Sequence, residues 1–298
     1  MRQEFCRTVI TGMRKGTKKE WIFFWTATAI LTAVALFALG MFLRSELTNA
    51  RSESDFKELS RLVIRNTPIP VTPSPVPTVV QIQIPSEPGV TLPTPTSTLV
   101  PTPTPTLAPL ADYEALYALN PDFFGWITVE GTRVDYPVMY SPDRPLQYLG
   151  HDFEGNFSYA GVPYLAPDCD PEGDYYLVYG HHMKNGTMFA GLMAYEDESF
   201  WKEHPTFRFD TRFERRTYAV VAAFRARVLQ KDENGFRYYS YSALEDEETF
   251  RAFMTYVRAM AAYDTAVETT FGDEILTLST CAYHTEKGRF VVVAKRVE

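Results

Sequence analysis

Cys281 and Arg289 are the residues whose types and spacing most directly suggest a reaction. Residues 274–280 alternate between apolar and polar, and residues 290–297 are rich in valine, so two β-strands with a short polar turn are predicted. If the strands pair as a hairpin, Cys281 lies directly opposite Arg289, with Cβ atoms about 5 Å apart on one face. A thiol and a guanidinium at one spot suit an acyl-transfer nucleophile and its oxyanion stabiliser.

A histidine is the usual acid–base partner of a cysteine nucleophile, and the chain has five. His181 has the best position, because it follows the predicted strand 175–179 and Gly180, and catalytic side chains often lie where a strand ends. His182 is the second candidate. The remaining three are expected to be ordinary surface or capping residues: His151, His204 and His284.

Each of these residues also has a structural interpretation. Cys281 could form a disulfide with Cys169, since both would lie in an oxidising compartment, and Arg289 could be a salt-bridged surface residue. Cys281 and His284 form a Cys-x-x-His pair, but a structural zinc site needs four ligands and no second pair has a suitable spacing. We therefore expect no metal and no cofactor.

The first 43 residues predict a membrane anchor. Residues 1–20 contain six Lys or Arg, whereas residues 21–43 carry no charge. As a helix, this apolar segment reaches about 35 Å, enough for a hydrocarbon core of ~30 Å. We expect a single-pass anchor in the cell membrane, with a basic cytoplasmic N-terminus and the rest outside the cell. A cleaved signal peptide is the alternative, but its apolar stretch is usually only ~7–15 residues long.

Two linking segments are expected after the anchor. Residues 44–66 are charged and have apolar residues at helical spacing, which predicts a short stalk helix. Residues 67–110 contain 13 prolines and 10 threonines, a composition that favours extended polyproline II structure. At ~3.1 Å per residue, such a linker would reach on the order of 130 Å and hold the following domain away from the membrane.

Residues 111–298 are predicted to form one globular domain, which is mostly β. They carry 18 Lys or Arg against 30 Asp or Glu, a net charge of −12, so nucleic acid is not expected as a partner. The spacing predicts six strands before the C-terminal pair, at 126–129, 134–138, 160–165, 175–179, 207–209 and 217–229. Helices are predicted at 113–119, 187–195 and 243–263. Short strands without βαβ alternation favour a closed, antiparallel-rich barrel with appended helices.

Several motifs in this order resemble those of sortases. The segment 277–281, Thr-Leu-Ser-Thr-Cys, matches the sortase signature Thr-Leu-x-Thr-Cys, and 288–292, Gly-Arg-Phe-Val-Val, resembles the arginine strand. The segment 179–183, Tyr-Gly-His-His-Met, is similar to the histidine segment of class B sortases, and the helix 243–263 before the cysteine strand is similar to the insertion that marks this class. The resemblance covers residues 111–298 and implies an eight-stranded sortase β-barrel.

The resemblance also implies cysteine transpeptidation at a Gram-positive cell surface, with Cys281 as nucleophile, His181 as general acid and base, and Arg289 as oxyanion stabiliser. Residues expected near the substrate are Tyr179, Ser279 and Thr280. The implied partners are surface proteins with an Asn-Pro-x-Thr-like sorting signal and an acceptor amine of peptidoglycan precursor or another protein.

Two other functions remain open at this point. A cysteine endopeptidase or a transpeptidase of peptidoglycan stems would use the same nucleophile on a different substrate. A tethered adhesion or scaffold domain would instead keep Cys281 buried and unreactive.

Overall fold

The computed structural model describes residues 18–63 and 108–298. It contains eight strands and four α-helices in this part of the chain. The helices are α1 Lys18–Leu62, α2 Ala111–Leu119, α3 Glu198–Glu203 and α4 Glu247–Met260. The strands are β1 Phe123–Thr128, β2 Asp135–Met139, β3 Tyr164–Leu165, β4 Tyr175–Tyr179, β5 Thr206–Thr211, β6 Thr217–Arg227, β7 Ile275–Cys281 and β8 Gly288–Arg296.

The eight strands close into a barrel in the order β1-β2-β3-β4-β7-β8-β6-β5. The predicted barrel is therefore confirmed, and most neighbouring strands are antiparallel as expected. Two neighbouring pairs, β2–β3 and β4–β7, are parallel. The parallel β4–β7 pair joins two strands nearly 100 residues apart in the chain, because β5, β6 and α4 lie between them in sequence.

Alternating residues of β4 separate the barrel interior from its outer face. Tyr176 points inward, where its ring contacts Phe124 and Phe209 at centroid distances of 5.6 and 6.1 Å. Tyr175 points outward and packs edge-on against Phe253 of α4, with centroids 5.5 Å apart. Each large apolar side chain buried in this way contributes ~1.5–3 kcal/mol to folding. Helix α4 therefore covers the outer face of β4.

Two of the predicted helices differ from expectation at their ends. Helix α4 is shorter than 243–263, because Asp246 is its N-cap and accepts a hydrogen bond from Thr249 N–H (2.7 Å), while Ala261 leaves helical geometry at ψ 137°. The helix predicted at 187–195 is a 3₁₀ helix, Phe189–Glu196. It begins at Phe189 because Met188 has φ 55° and ψ −137°. A helix cannot continue backwards through such a residue.

The predicted anchor and stalk form one continuous helix, α1. Its segment Trp25–Arg44 has a mean hydropathy of 2.1 and contains no buried residue, so it is long and apolar enough to cross a membrane. Two predicted segments lie largely outside the described residues. They are the basic N-terminus, of which residues 1–17 are not described, and the Pro/Thr-rich linker, of which residues 67–107 are not described.

The last part of α1 packs against the barrel. Phe56, Leu59 and Val63 are buried there. The chain is described again from residue 108, and Leu110 N–H donates to the Arg212 carbonyl (2.9 Å). The role of residues 67–110 as an extended linker stays a prediction.

Candidate active site

Strands β7 and β8 form the expected hairpin, and Cys281 pairs directly with Arg289. The turn between them closes through a hydrogen bond from Ala282 N–H to the Gly288 carbonyl (3.0 Å). Gly288 is required at this point, since a Cβ atom there would lie 2.1 Å from the Ala282 carbonyl oxygen. The prediction that the two side chains share one face is confirmed by this register.

The parallel β4–β7 pair brings a histidine to the same place. The strands are paired with residue numbers offset by 100, as far as Tyr179 opposite Ser279. Gly180 N–H then donates to the Ser279 carbonyl (3.1 Å) and extends the ladder by one residue. His181 is the next residue, and the same register continued would set it at the level of Cys281.

The backbone beside His181 is held tightly. The Thr280 hydroxyl donates to the Gly180 carbonyl (2.8 Å), and the Phe189 N–H donates to the His181 carbonyl (2.8 Å). The Phe189 ring lies directly on Gly180, where a Cβ atom would be only 2.5 Å away. The half-buried His181 ring contacts the Leu149 carbonyl through Nε2 (2.8 Å). Because a carbonyl only accepts, this Nε2 carries a proton. In the neutral ring Nδ1 is then the nitrogen that can accept a proton.

His182 contacts the nucleophile's backbone. Its Nδ1 lies 2.8 Å from the Cys281 carbonyl, so this nitrogen is a donor. The ring also packs against Tyr283, whose hydroxyl donates to the His182 carbonyl (3.1 Å). The two neighbouring histidines therefore make different contacts, and His182 fixes the end of β7.

Arg289 has no carboxylate partner among the residues that the structure describes. Its guanidinium donates from Nη1 to the carbonyl of the preceding Gly288 (3.0 Å), and its side chain is half-buried. Other arginines of the barrel are paired with acids, as Arg225 is with Glu196. A guanidinium with spare donors beside Cys281 can receive a negatively charged oxygen.

The three residues expected to contact substrate lie in different environments. Tyr179 is half-buried and its ring lies 5.8 Å from that of Tyr164. Ser279 is fully buried, and its hydroxyl is 2.7 Å from the Tyr238 hydroxyl. Thr280 is also buried and points to the other face of β7. Contact of these three residues with substrate stays a prediction.

Tyr164 and Tyr238 complete the site and were missed in the sequence. Burial raises the pKa of Tyr238 to about 12, and the nearby Arg289 charge opposes that rise. Burial also raises the pKa of Tyr164, again opposed by Arg289. Both phenols are therefore neutral and close to the guanidinium. Nothing in their local sequence distinguishes them among 18 tyrosines, because only the fold brings them to Cys281.

The disulfide alternative for Cys281 is excluded, since Cys169 and Cys281 are both free. Cys169 is buried, which raises the pKa of its thiol to about 11 and disfavours the thiolate. Cys281 is half-exposed at the end of β7. Of these two thiols, Cys281 is the one that a substrate can reach.

In the described ranges, one group of three acidic side chains lies close enough to share a metal ion, and its members are distant in sequence from Cys281. Asp55 of α1 approaches Asp152 and Glu154 of the β2–β3 connection, with ligand atoms within 4.8 Å of one another. Exposed acidic groups commonly meet without an ion, and we assign no metal here.

Comparison with known proteins identifies the family of this chain. Residues 127–297 match the family model described as Sortase domain. The chain is 31% identical to sortase B of Listeria monocytogenes over 188 residues, which is 61% of this chain and 72% of that protein. It is 30% identical to sortase B of Staphylococcus aureus over 190 residues, covering 62% of this chain and 75% of that protein.

Solved structures give the same result. The Staphylococcus aureus sortase B–substrate complex superposes with a TM-score of 0.56 at 28% identity, covering 63% of this chain and 85% of that one. Clostridium perfringens sortase B superposes with a TM-score of 0.56 at 27% identity, covering 62% and 99%. The chain therefore belongs to the sortase family, in its class B branch, and is a cysteine transpeptidase of the cell wall.

Proposed function

We propose that this enzyme cleaves a sorting signal of surface proteins after threonine and transfers the protein to an amine of the cell wall, with Cys281 as nucleophile. The observation that supports this most strongly is that Cys281 and Arg289 are paired at one strand end, and that His181 follows closely after the end of the neighbouring strand β4. A free thiol, a guanidinium without a carboxylate partner in the described residues, and an imidazole are the groups that amide transfer requires.

In the first half-reaction the Cys281 thiol gives its proton to His181, and the sulfur attacks the threonine carbonyl carbon. The carbonyl oxygen becomes negative, and the guanidinium of Arg289 stabilises it. The C–N bond then breaks as His181 donates the proton to the departing amine. The peptide remains bound to Cys281 as a thioester.

The second half-reaction reverses these roles. An acceptor amine loses a proton to His181 and attacks the thioester carbonyl, and Arg289 again stabilises the oxyanion. The C–S bond breaks, and the Cys281 sulfur recovers its proton. The acceptor that we propose is an amine of peptidoglycan precursor, and a pilin lysine would follow the same chemistry. Water in place of the amine would make the enzyme an endopeptidase.

The substrate that we propose is an extended peptide with an Asn-Pro-x-Thr-like sequence. One of the solved relatives is a complex of Staphylococcus aureus sortase B with substrate. In this chain Tyr179 and Tyr164 form the aromatic surface beside Cys281, and Tyr238 closes over Ser279. An extended peptide could lie across these side chains with its threonine carbonyl toward Arg289.

We further propose that the enzyme is a single-pass membrane protein with a cytoplasmic N-terminus and an extracellular barrel. The apolar segment Trp25–Arg44 and the basic residues before it support this orientation. A membrane-impermeant thiol reagent added to intact cells should label Cys281. The C281A variant is the control, because Cys6 would be cytoplasmic and Cys169 is buried.

The function is tested by mass spectrometry of the full chain mixed with sorting-signal peptides. We expect a mass increase equal to the N-terminal peptide fragment on wild-type protein and on C169A, and none on C281A. Retained turnover by C281A would contradict the assignment of the nucleophile.

The same peptide assay separates the other functions. Added amine should divert the product from the hydrolysed acid to the amide, which distinguishes a transpeptidase from an endopeptidase. A scaffold domain would leave Cys281 resistant to a small alkylating reagent and would form no adduct.

A further inference from the structure

The end of α1 packs beside the loop that carries His181. We call residues 53–63 the stalk and residues 181–189 the histidine loop. Phe56 of the stalk is only 4% exposed, and its ring stands edge-on to Tyr136 of β2, with centroids 5.3 Å apart and planes at 77°. Leu59 lies one turn further along α1, and Val63 directly follows its last residue, Leu62. Both are buried as well. The stalk thus has one apolar stripe, which faces the barrel.

Tyr136 links this contact to the histidine loop. Its hydroxyl accepts a hydrogen bond from the Met188 N–H (3.1 Å). Met188 is buried and has φ 55°, in a region that residues with a side chain rarely occupy. Such a conformation persists only where surrounding contacts hold it. The Tyr136 hydroxyl is a contact of this kind.

Met188 is directly followed by the residue that fixes His181. Phe189 N–H donates to the His181 carbonyl (2.8 Å), and the Phe189 ring lies on Gly180. A continuous series of contacts therefore runs from Phe56 through Tyr136, Met188 and Phe189 to the backbone of His181.

A cleft also separates the stalk from the histidine loop. A cleft of about 330 Å³ lies between the stalk and the barrel, and Glu53 and Lys57 line one side of it while Arg133 and Thr187 line the other. Arg133 donates from Nη1 to the Asn185 carbonyl (3.3 Å) in the histidine loop. The stalk therefore borders the histidine loop across this cleft at Thr187, and Arg133, which also lines the cleft, bonds to the same loop.

We propose that Tyr136 is a positioning residue for His181, and that packing of the stalk on the barrel sets this position. The membrane-anchored helix would then contribute to the catalytic step and not only to localisation. This inference rests on the proposed role of His181. Loss of this packing should lower kcat, because proton transfer depends on His181. KM should change little, because the surfaces beside Cys281 formed by Tyr179 and Tyr238 do not touch the stalk.

The test uses the full chain in lipid nanodiscs and a sorting-signal peptide with an added amine. Phe56→Ala removes the stalk contact, and Tyr136→Phe removes only the hydroxyl. We expect each to lower kcat by about 10- to 100-fold, as a displacement of a catalytic group by about 1 Å does, with KM within about threefold. The double variant should be no slower than the slower single variant, because both act through one series of contacts.

Matched controls and a second measurement separate this role from general destabilisation. Leu62→Ala changes an exposed residue of the same helix, and Tyr263→Phe removes another phenol hydroxyl that bonds to backbone, at the Tyr195 carbonyl. Both should keep normal kcat. Hydrogen–deuterium exchange of the histidine loop should become faster in Phe56→Ala and Tyr136→Phe, with exchange of β7 and β8 unchanged.

The outcomes distinguish this inference from the proposed function. If His181→Ala keeps its activity, the role of His181 is wrong, and the inference falls with it. If His181→Ala is inactive but Phe56→Ala and Tyr136→Phe have normal kcat and normal loop exchange, the inference alone is overturned. Additive losses in the double variant would also overturn it, because they would show two independent effects.

Discussion

At the scale of single residues, the environment of each group decides what it can do. Cys169 and Cys281 are both free thiols, but burial raises the pKa of Cys169 to about 11 while Cys281 is half-exposed beside a guanidinium. Arg289 differs from Arg225 in a comparable way, since Arg225 is paired with Glu196 and Arg289 has no carboxylate partner in the described part of the chain. The reactivity of these thiols and guanidiniums therefore depends on the absence of some neighbouring groups as much as on the presence of others.

Replacement of Arg289 by Lys tests the geometry of the oxyanion site. Lysine keeps the positive charge but loses the planar fork of donors. We expect kcat/KM to fall about 100- to 1000-fold, the usual cost of losing an oxyanion donor. The measurement is steady-state turnover of a sorting-signal peptide, with Arg225→Lys as the control. Near-normal kinetics of Arg289→Lys would argue against its role.

The hydrogen bond between Tyr238 and Ser279 can be tested with a pair of variants. Tyr238→Phe and Ser279→Ala each leave a buried hydroxyl without its partner, which costs about 1–3 kcal/mol of unfolding free energy. The double variant removes both hydroxyls and should be more stable than the sum of the single losses predicts. Chemical denaturation measures all four proteins. Strictly additive losses would mean that the two hydroxyls do not depend on each other.

At the scale of secondary-structure elements, two pairings of different origin form the site. The β7–β8 hairpin joins neighbours in sequence and sets Cys281 opposite Arg289. The parallel β4–β7 pair joins distant segments and brings His181 alongside. The site therefore forms only when the barrel closes, and the exact end of β4 controls where the imidazole lies.

Gly180→Ala tests this dependence on the end of β4. A methyl group there would meet the Phe189 ring at 2.5 Å, so Phe189 and the adjoining His181 must shift. We expect kcat/KM to fall by at least about tenfold while the barrel stays folded. Gly150→Ala is the matched control, because its Cβ would meet nothing within 4 Å and its φ is −135°. Equal activity of the two variants would show that the close packing of Phe189 on Gly180 is not needed.

At the scale of the whole molecule, a helix that is long and apolar enough to cross a membrane continues into a segment that packs on an aromatic-rich barrel. Helix α1 continues from the apolar span Trp25–Arg44 onto the barrel at Phe56. With ~1.5 Å per helical residue, the contact at Phe56 lies only about 18 Å beyond Arg44. The apolar segment Trp25–Arg44 and the contact with the barrel at Phe56 therefore belong to one helix.

The buried tyrosines predict loss of stability at alkaline pH. Burial raises the pKa of Tyr238 from 10.0 to about 12, so the folded protein keeps this phenol protonated where the unfolded chain ionises. This stabilisation of the folded state is complete below pH 10 and is lost as the pH rises from 10 through 12. At about 1.4 kcal/mol per pH unit, Tyr238 alone accounts for ~2–3 kcal/mol of the lost unfolding free energy. Melting temperature and tyrosinate absorbance between about pH 9 and pH 12 measure this change, and Tyr238→Phe should reduce it. A constant melting temperature over that range would contradict the prediction.

The sequence by itself determined the features that depend on local pattern. Alternation, valine content and the polar turn were enough to place Cys281 opposite Arg289, and the uncharged residues 21–43 were enough to predict an anchor. The family motifs added the eight-stranded barrel. Element ends were less accurate, as at α4 and at the 3₁₀ helix after Met188, because caps and single backbone angles decide them.

Only the tertiary structure decided which distant residues meet. Nothing in the local pattern separates the contacts of His181 from those of His182, or selects Tyr238 as the partner of Ser279. Nor does the sequence show that Phe56 packs on Tyr136, 80 residues further along the chain. The contacts of the two histidines arise because the barrel closes through the parallel β4–β7 pair, and such a pairing depends on the burial of the whole core and not on any neighbouring residues.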